Sequence, residues 1–152
     1  LSAVDAANDR QKLIPYEKIE SKLGELAGKK VAIWGLAFKP ETDDTRESPA
    51  IYIVNSLLAK GATVTAHDPI AAEVFSRLVS DEPTYVDDMY DALDGAEALI
   101  VVTDWKAYKE ADLNAVMERL AGKIVVDGRN IWADVERPGE MEYDGIGLGH
   151  LR

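Results

Sequence analysis

The feature that most constrains the fold is the alternation of short apolar runs with helical patterns along most of the chain. Six segments have strand character, at 30–34, 63–67, near Tyr85, 98–103, 123–127 and 143–146. Helical patterns separate them, so the strands are expected to run parallel with helices covering both faces of the sheet. The sequence therefore predicts an α/β domain built on an open parallel sheet.

The helix predicted at 49–60 carries signals at both of its ends. Ser48 is a suitable N-cap, Pro49 occupies the favoured first helical position, and Gly61 suits the residue after the helix. Further helices are predicted at 71–79, 89–93 and 113–120.

The first 27 residues have a different character. They carry a polar helical pattern that is predicted to break at Pro15, and they contain no strand. We expect them to be the end of a connecting helix that packs on something outside this chain. The predicted boundary places the α/β domain at 28–152.

The composition excludes several classes of site and partner. Cysteine is absent and histidine occurs only at His67 and His150, so no disulfide, cysteine nucleophile or metal site is expected. The net charge of −11 argues against nucleic acid and anionic membranes, because both require a basic surface. The chain has neither an apolar run long enough for a bilayer nor a signal-peptide pattern, which makes the cytoplasm the expected compartment.

Three loops are expected to form the binding site, because ligands of an open parallel sheet bind beyond the carboxyl ends of its strands. The candidate loops are 35–47, 103–107 and 128–132. Their basic residues are Lys39, Arg46, Lys106 and Arg129. In so acidic a chain, these few cations would have to hold any anionic ligand.

The 35–47 loop, GLAFKPETDDTRE, differs from the usual dinucleotide fingerprint. That fingerprint is G-x-G-x-x-G, whereas only Gly35 is present here. We therefore expect a Rossmann-like fold that does not bind NAD in the usual way.

Each of three side chains in this loop has two interpretations. Phe38 either packs against a base or sugar or lies in the core, and Lys39 either reaches a phosphate or sugar hydroxyl or is solvated. Arg46 either binds a phosphate or carboxylate or pairs with a neighbouring acid. The acids in question are Asp43, Asp44 and Glu47.

Arg129 follows Gly128 directly, so its guanidinium either enters the cleft or forms a salt bridge to Asp127 or Asp104. Asp68 lies 33 residues beyond Gly35, too far for the usual ribose-binding acid, and is expected to form a turn before Pro69.

Three further features are given structural interpretations. Trp105 and Trp132 are expected to be buried packing residues. The glycines at 145, 147 and 149 do not form a phosphate loop, because no helix follows them.

Three strings together resemble the C-terminal domain of the UDP-glucose/GDP-mannose dehydrogenase family, and most closely its UDP-glucose branch. They are WGLAFKPETDDTRESPA at 34–50, VVTDWKAY at 101–108 and DGRN at 127–130. The resemblance implies an enzyme with an N-terminal NAD-binding domain, a central helical region with dimer contacts, and this UDP-binding domain. Such enzymes oxidise the C6 alcohol of UDP-glucose twice, with two NAD, through a cysteine that would lie outside this chain.

The resemblance also implies roles for four residues. Phe38 and Lys39 would contact the nucleotide sugar, Arg129 would hold it from the other side, and Arg46 would reach towards NAD on another domain. No catalytic residue and no metal ligand is assigned, and this chain alone is expected to be inactive. The full-length enzyme would be a homodimer or a larger homo-oligomer.

Other functions are compatible with the same residues. The relatives that oxidise UDP-N-acetylmannosamine or GDP-mannose share the first string. A stand-alone nucleotide-sugar sensor would need the same loops without any chemistry. A domain that mainly assembles subunits would use residues 1–27.

Overall fold

The computed structural model describes the backbone of residues 3–146 and the side chains of residues 11–146. The helices are α1 (Ala3–Leu23), α2 (Pro49–Ala59), α3 (Ala72–Leu78), α4 (Lys106–Lys109) and α5 (Leu113–Arg119), with a 3₁₀ turn at Asp91–Leu93. The strands are β1 (Lys30–Trp34), β2 (Thr63–His67), β3 (Thr84–Tyr85), β4 (Ala98–Val101), β5 (Ile124–Asp127) and β6 (Glu142–Gly145).

The six strands form one sheet in which every neighbouring pair is parallel, in the order β3-β2-β1-β4-β5-β6. This confirms the predicted Rossmann-like α/β fold. Trp34 of β1 lies opposite both His67 of β2 and Val101 of β4, and Val101 lies opposite Asp127 of β5. Four strands therefore end at one level, and the chain order reverses between β1 and β4.

Both faces of the sheet are buried, and the pleat divides the strand residues between them. Val31 and Ile33 pack into a core with α1, α2 and α3 on one face. Trp34 packs on the other face, where its ring stacks on Tyr108 at 4.9 Å and meets Trp132 edge to face at 5.9 Å. These two-sided contacts explain why β1, β4 and β5 are almost uniformly apolar.

The predicted break at Pro15 is wrong, because α1 continues through this residue from Ala3 to Leu23. The second half of the helix packs on this chain's own core, where Tyr16 is 8% exposed and Ile19 is fully buried. This burial offsets the loss of one helical hydrogen bond at the proline. The expectation that the whole segment packs elsewhere is thus wrong for its second half.

The remaining elements agree with the prediction except at one strand end and in one short helix. The helix at 49–60 has its predicted cap, since the Ser48 side chain accepts a hydrogen bond from the Ala50 N–H. The strand predicted at 98–103 ends at Val101, and the sequence reasoning missed the short helix α4. Within the described residues, no helix is long and apolar enough to cross a membrane.

Candidate functional site

The loops that leave β1 and β4 begin at the point where the strand order reverses. In open parallel sheets this is the place where ligands bind. The 35–47 loop starts there and returns to Ser48, the N-cap of α2. The loops predicted to form the site therefore share one edge of the sheet, as the parallel fold requires.

Gly35 lets the first loop pass directly against the loop after β4. Its backbone has φ +102°, and an added Cβ would lie 2.4 Å from the Oγ1 atom of Thr103. The Thr103 hydroxyl is fully buried and donates a hydrogen bond of 2.8 Å to the Ala37 carbonyl. A side chain at residue 35 would displace this contact, so the position requires glycine.

Asp68 holds the same loop from the other side. Its Oδ2 atom accepts hydrogen bonds from the backbone N–H groups of Leu36 at 2.8 Å and Ala37 at 3.1 Å. Its Oδ1 atom accepts from Ile70 at 2.9 Å and Ala71 at 2.8 Å. Asp68 thus forms the predicted turn before α3, and it also makes contacts with the first loop that the sequence did not reveal.

The side chains that follow this fixed backbone point outwards. Phe38 is 47% exposed, so of its two interpretations the one that placed it in the core is wrong. Lys39 is exposed as well. The Phe38 N–H donates to the Asp44 carbonyl at 2.8 Å and closes the loop across its base. Two consecutive residues therefore expose an aromatic ring and an ammonium group in the loop that starts at the reversal point.

Arg46 forms the local ion pair that the sequence allowed. Its Nε and Nη2 atoms each donate to the Asp44 carboxylate at 3.0 Å, and the guanidinium is 86% exposed. The hydrogen bond from the Arg46 side chain is the main cause that lowers the pKa of Asp44 to about 2. Glu47 pairs instead with Lys12 of α1, at 2.9 Å.

Arg129 forms a salt bridge to Asp104, one of its two predicted partners. The Nη2 atom of Arg129 lies 3.3 Å from the Oδ1 atom of Asp104, without the alignment of a hydrogen bond. The other acid, Asp127, accepts hydrogen bonds from the Arg129 backbone N–H at 3.1 Å, the Trp132 N–H at 2.9 Å and the Tyr143 hydroxyl at 2.7 Å. The ion pair joins the loops after β4 and β5.

A cavity of about 140 Å³ lies beside Arg129, between α1, the start of α2 and the ends of β4 and β5. Its lining includes Lys12, Pro49 and Gly128. A larger, open depression of about 540 Å³ lies near α5 on the opposite face. We place the Arg129 part of the site at the smaller cavity, because that cavity lies at the carboxyl ends of β4 and β5, whereas Phe38, Lys39 and Arg46 do not line it.

The two tryptophans have the predicted packing role, whereas Lys106 and His67 are described only by their local contacts. Trp105 and Trp132 are 5% and 0% exposed, which confirms the packing interpretation. Lys106 is exposed and lies 3.9 Å from Glu110. His67 is buried against the Tyr108 hydroxyl at 2.9 Å, and burial lowers its pKa.

The last observations concern metal ligands and the glycine-rich segment at 145–149. The described residues contain no group of three or more His, Asp or Glu residues placed to hold a metal ion. The positions at 147 and 149 of the glycine-rich end, and His150, lie outside the described residues.

Comparison with known proteins gives a consistent group of relatives. The model of the UDP-glucose/GDP-mannose dehydrogenase family, UDP binding domain, matches residues 32–134. The UDP-glucose 6-dehydrogenase of Pseudomonas aeruginosa is 41% identical and matches all of this chain but 35% of its own length. The UDP-glucose 6-dehydrogenase TuaD of Bacillus subtilis is 35% identical over the whole chain and 33% of its own length. The chain thus spans about a third of these curated relatives.

Solved structures show the same relationship. A UDP-glucose dehydrogenase from the hyperthermophilic archaeon Pyrobaculum islandicum matches with a TM-score of 0.73 and 38% identity, over 93% of this chain and 30% of that one. A UDP-D-ManNAc dehydrogenase from Pyrococcus horikoshii matches with a TM-score of 0.70 and 27% identity, over 93% and 31%.

Proposed function

The chain belongs to the UDP-glucose/GDP-mannose dehydrogenase family, and we propose that it is the nucleotide-sugar-binding domain of an NAD-dependent UDP-glucose 6-dehydrogenase. The full enzyme would convert UDP-glucose to UDP-glucuronate in two oxidation steps with two NAD. The reactive cysteine and the main NAD site would lie on the part of the enzyme beyond this chain. The domain described here would bind and orient the substrate.

The observation that carries this proposal is the exposed pair Phe38 and Lys39 on a fixed backbone at the reversal point. The ammonium group of Lys39 suits a phosphate oxygen, and the ring of Phe38 offers an apolar face to a base or sugar. Because the chain carries a net charge of −11, a nucleotide sugar would depend on such local cations.

Arg129 would complete the site from the loop after β5. Its ion pair with Asp104 is partly exposed, and such pairs contribute little to stability. A diphosphate can therefore compete with Asp104 for the guanidinium, which matches phosphate oxygens through two parallel hydrogen bonds. Binding would exchange one partner of Arg129 for another without ordering a new loop.

NAD would be held mainly outside this chain, and the local geometry fits that assignment. The backbone after Gly35 is occupied by Asp68 and Thr103, where a fingerprint loop would present free N–H groups to a pyrophosphate. Arg46 is 86% exposed at the far end of the loop, so it is available to a neighbouring domain. Asp44 would keep its guanidinium in place.

Isothermal titration calorimetry on the full-length enzyme tests the assigned residues. We expect Lys39→Ala and Arg129→Ala each to weaken UDP-glucose binding roughly tenfold or more, because each removes a charged hydrogen-bond donor. Lys60→Ala is the matched control, since Lys60 is exposed and lies at the C-terminal end of α2, the end opposite the candidate loops. Unchanged affinity in both site variants would contradict the proposal.

The related sugar nucleotides are the second candidate substrates. Resemblance to the Pyrococcus horikoshii UDP-D-ManNAc dehydrogenase supports this alternative, although at lower identity than the UDP-glucose enzymes. A comparison of kcat/KM for UDP-glucose, UDP-N-acetylmannosamine and GDP-mannose would decide between them. The expected homodimer or larger oligomer stays a prediction, which light scattering of the full-length enzyme would test.

A further inference from the structure

We infer that Asp68 is a positioning residue that fixes where Phe38 and Lys39 meet the nucleotide sugar. The inference rests on the proposed function for its ligand and on the geometry of one carboxylate for its mechanism. Asp68 is 6% exposed and lies at the end of β2, the strand next to β1.

The Asp68 carboxylate joins three loops, which follow the strands β1, β2 and β4. Its Oδ2 atom accepts from the loop after β1, through Leu36 and Ala37, and from the indole N–H of Trp105 after β4, at 3.3 Å. Its Oδ1 atom accepts from the turn after β2, through Ile70 and Ala71. Five N–H donors thus converge on two oxygen atoms at the edge where the site lies.

Ala37 connects the Asp68 carboxylate to the two binding residues, because it directly precedes them in the chain. Ala37 is held at its N–H by Asp68 and at its carbonyl by Thr103. Phe38 and Lys39 follow directly, and the Phe38 N–H is bonded to the Asp44 carbonyl. The backbone from which both side chains start is therefore held by Asp68, which is itself buried.

The arrangement requires a carboxylate. Both oxygens of an aspartate accept hydrogen bonds, whereas an asparagine amide presents one acceptor and one N–H₂ donor. In Asp68→Asn, the donor group would face either the Ile70 and Ala71 N–H groups or the Leu36, Ala37 and Trp105 donors. Buried donors would lose their acceptor while the side-chain volume stays almost unchanged.

Hydrogen exchange and calorimetry on the full-length enzyme test this role together. We expect Asp68→Asn to speed exchange of the Leu36 and Ala37 amides and to weaken UDP-glucose binding about tenfold. Asp88→Asn is the matched control, because Asp88 is exposed and its side chain accepts from Tyr90 at 2.8 Å in a local turn. This control should leave both measurements unchanged.

A double variant separates positioning from general destabilisation. If Asp68 acts through Lys39, Asp68→Asn should add little to the loss that Lys39→Ala already causes. An undiminished further loss in the Lys39→Ala background would overturn the positioning role. So would wild-type affinity in Asp68→Asn when Lys39→Ala binds weakly.

Two further outcomes are decisive. Wild-type affinity in both Lys39→Ala and Arg129→Ala would overturn the proposed function, and the positioning role with it. If Asp68→Asn does not fold, Asp68→Glu keeps both acceptor oxygens but moves them away from the Leu36 and Ala37 N–H groups by one methylene. That variant should speed exchange at Leu36 and Ala37 and weaken binding several-fold, because those two amides lose the geometry of their hydrogen bonds. No change in either measurement would overturn the inference.

Discussion

The 35–47 and 128–132 loops leave the same edge of the sheet, and each is held by a buried aspartate that accepts backbone N–H groups. The anchor of the 128–132 loop is Asp127, the last residue of the loop's own strand. The anchor of the 35–47 loop is Asp68, which directly follows the neighbouring strand β2 and lies 31 and 32 residues from its partners Ala37 and Leu36. One loop is anchored locally, and the other depends on the assembled sheet.

The two loops also differ in how the residues beyond the anchored backbone are held. In the short loop, the Asn130 side chain bonds both the N–H and the carbonyl of Ile146, so the turn is tied to the end of β6. In the long loop, the bonds from Asp68 and Thr103 end at Ala37, and the part beyond is closed mainly within the loop, by the Phe38 N–H on the Asp44 carbonyl and by the Arg46–Asp44 ion pair. The long loop thus combines a base held by distant residues with an outer part closed mainly by local contacts.

The largest expected effect comes from Gly35→Ala, which removes the close approach on which the long loop depends. The new methyl group would overlap Thr103 at a left-handed φ, so we expect the free energy of unfolding to fall by about 3 kcal/mol or more. Urea unfolding of the chain measures this. Gly95→Ala is the control, because φ is +75° there but no atom lies within 4 Å, and about 1 kcal/mol is expected. Equal losses in the two variants would show that the approach to Thr103 is unimportant.

The next effect tests whether the short loop is anchored independently. Asp127→Asn should cost about 1–3 kcal/mol of stability, because the Trp132 N–H and the Tyr143 hydroxyl share one oxygen of this carboxylate. Hydrogen exchange should become faster at Arg129 and Trp132 and stay unchanged at Leu36 and Ala37. Faster exchange in both loops would break the distinction between a local and a remote anchor.

The smallest effect concerns the outer part of the long loop. Arg46→Gln removes the main cause of the lowered pKa of Asp44, so that pKa should rise from about 2 towards 3.8. A carboxyl pKa that is lowered in the folded state stabilises the fold above its unfolded pKa near 3.8. This contribution is lost as the pH falls towards 2.

Carboxyl NMR titration measures that shift site by site. Arg119→Gln is the control, because Arg119 pairs with Asp91 and Asp94 in another part of the molecule. An Asp44 pKa that stays near 2 in Arg46→Gln would show that Arg46 is not the cause of the lowered pKa.

The distinction between local and remote contacts also explains which features of the fold could be predicted from the sequence. The ends of α2 depend on Ser48, Pro49 and Gly61, all adjacent in the chain, and their signals were sufficient. The helix through Pro15 was missed because its continuity depends on the burial of Ile19 against distant strands. Local propensity carries no information about that contact.

The site shows the same limit. A parallel sheet requires its loops to leave at one edge, so the placement of the 35–47 and 128–132 loops at the same edge followed from the strand pattern. The sequence did not decide between Asp104 and Asp127 as the partner of Arg129. In the structure Asp127 is already occupied by backbone donors, and Arg129 pairs with Asp104. Asp68 showed only its local role, since the Asp-Pro pair gives no sign of bonds to Leu36 and Ala37.

The hydrogen bonds of Asp68 also separate the positions where the domain can change its side chains from the backbone that it must keep. Asp68 holds Leu36 and Ala37 by their N–H groups alone, which every amino acid except proline supplies. Phe38 and Lys39 lie beyond those bonds, so new side chains can be introduced there without disturbing the base of the loop. Under the proposed function, these two positions are where substitutions could change ligand preference at the smallest cost to the fold.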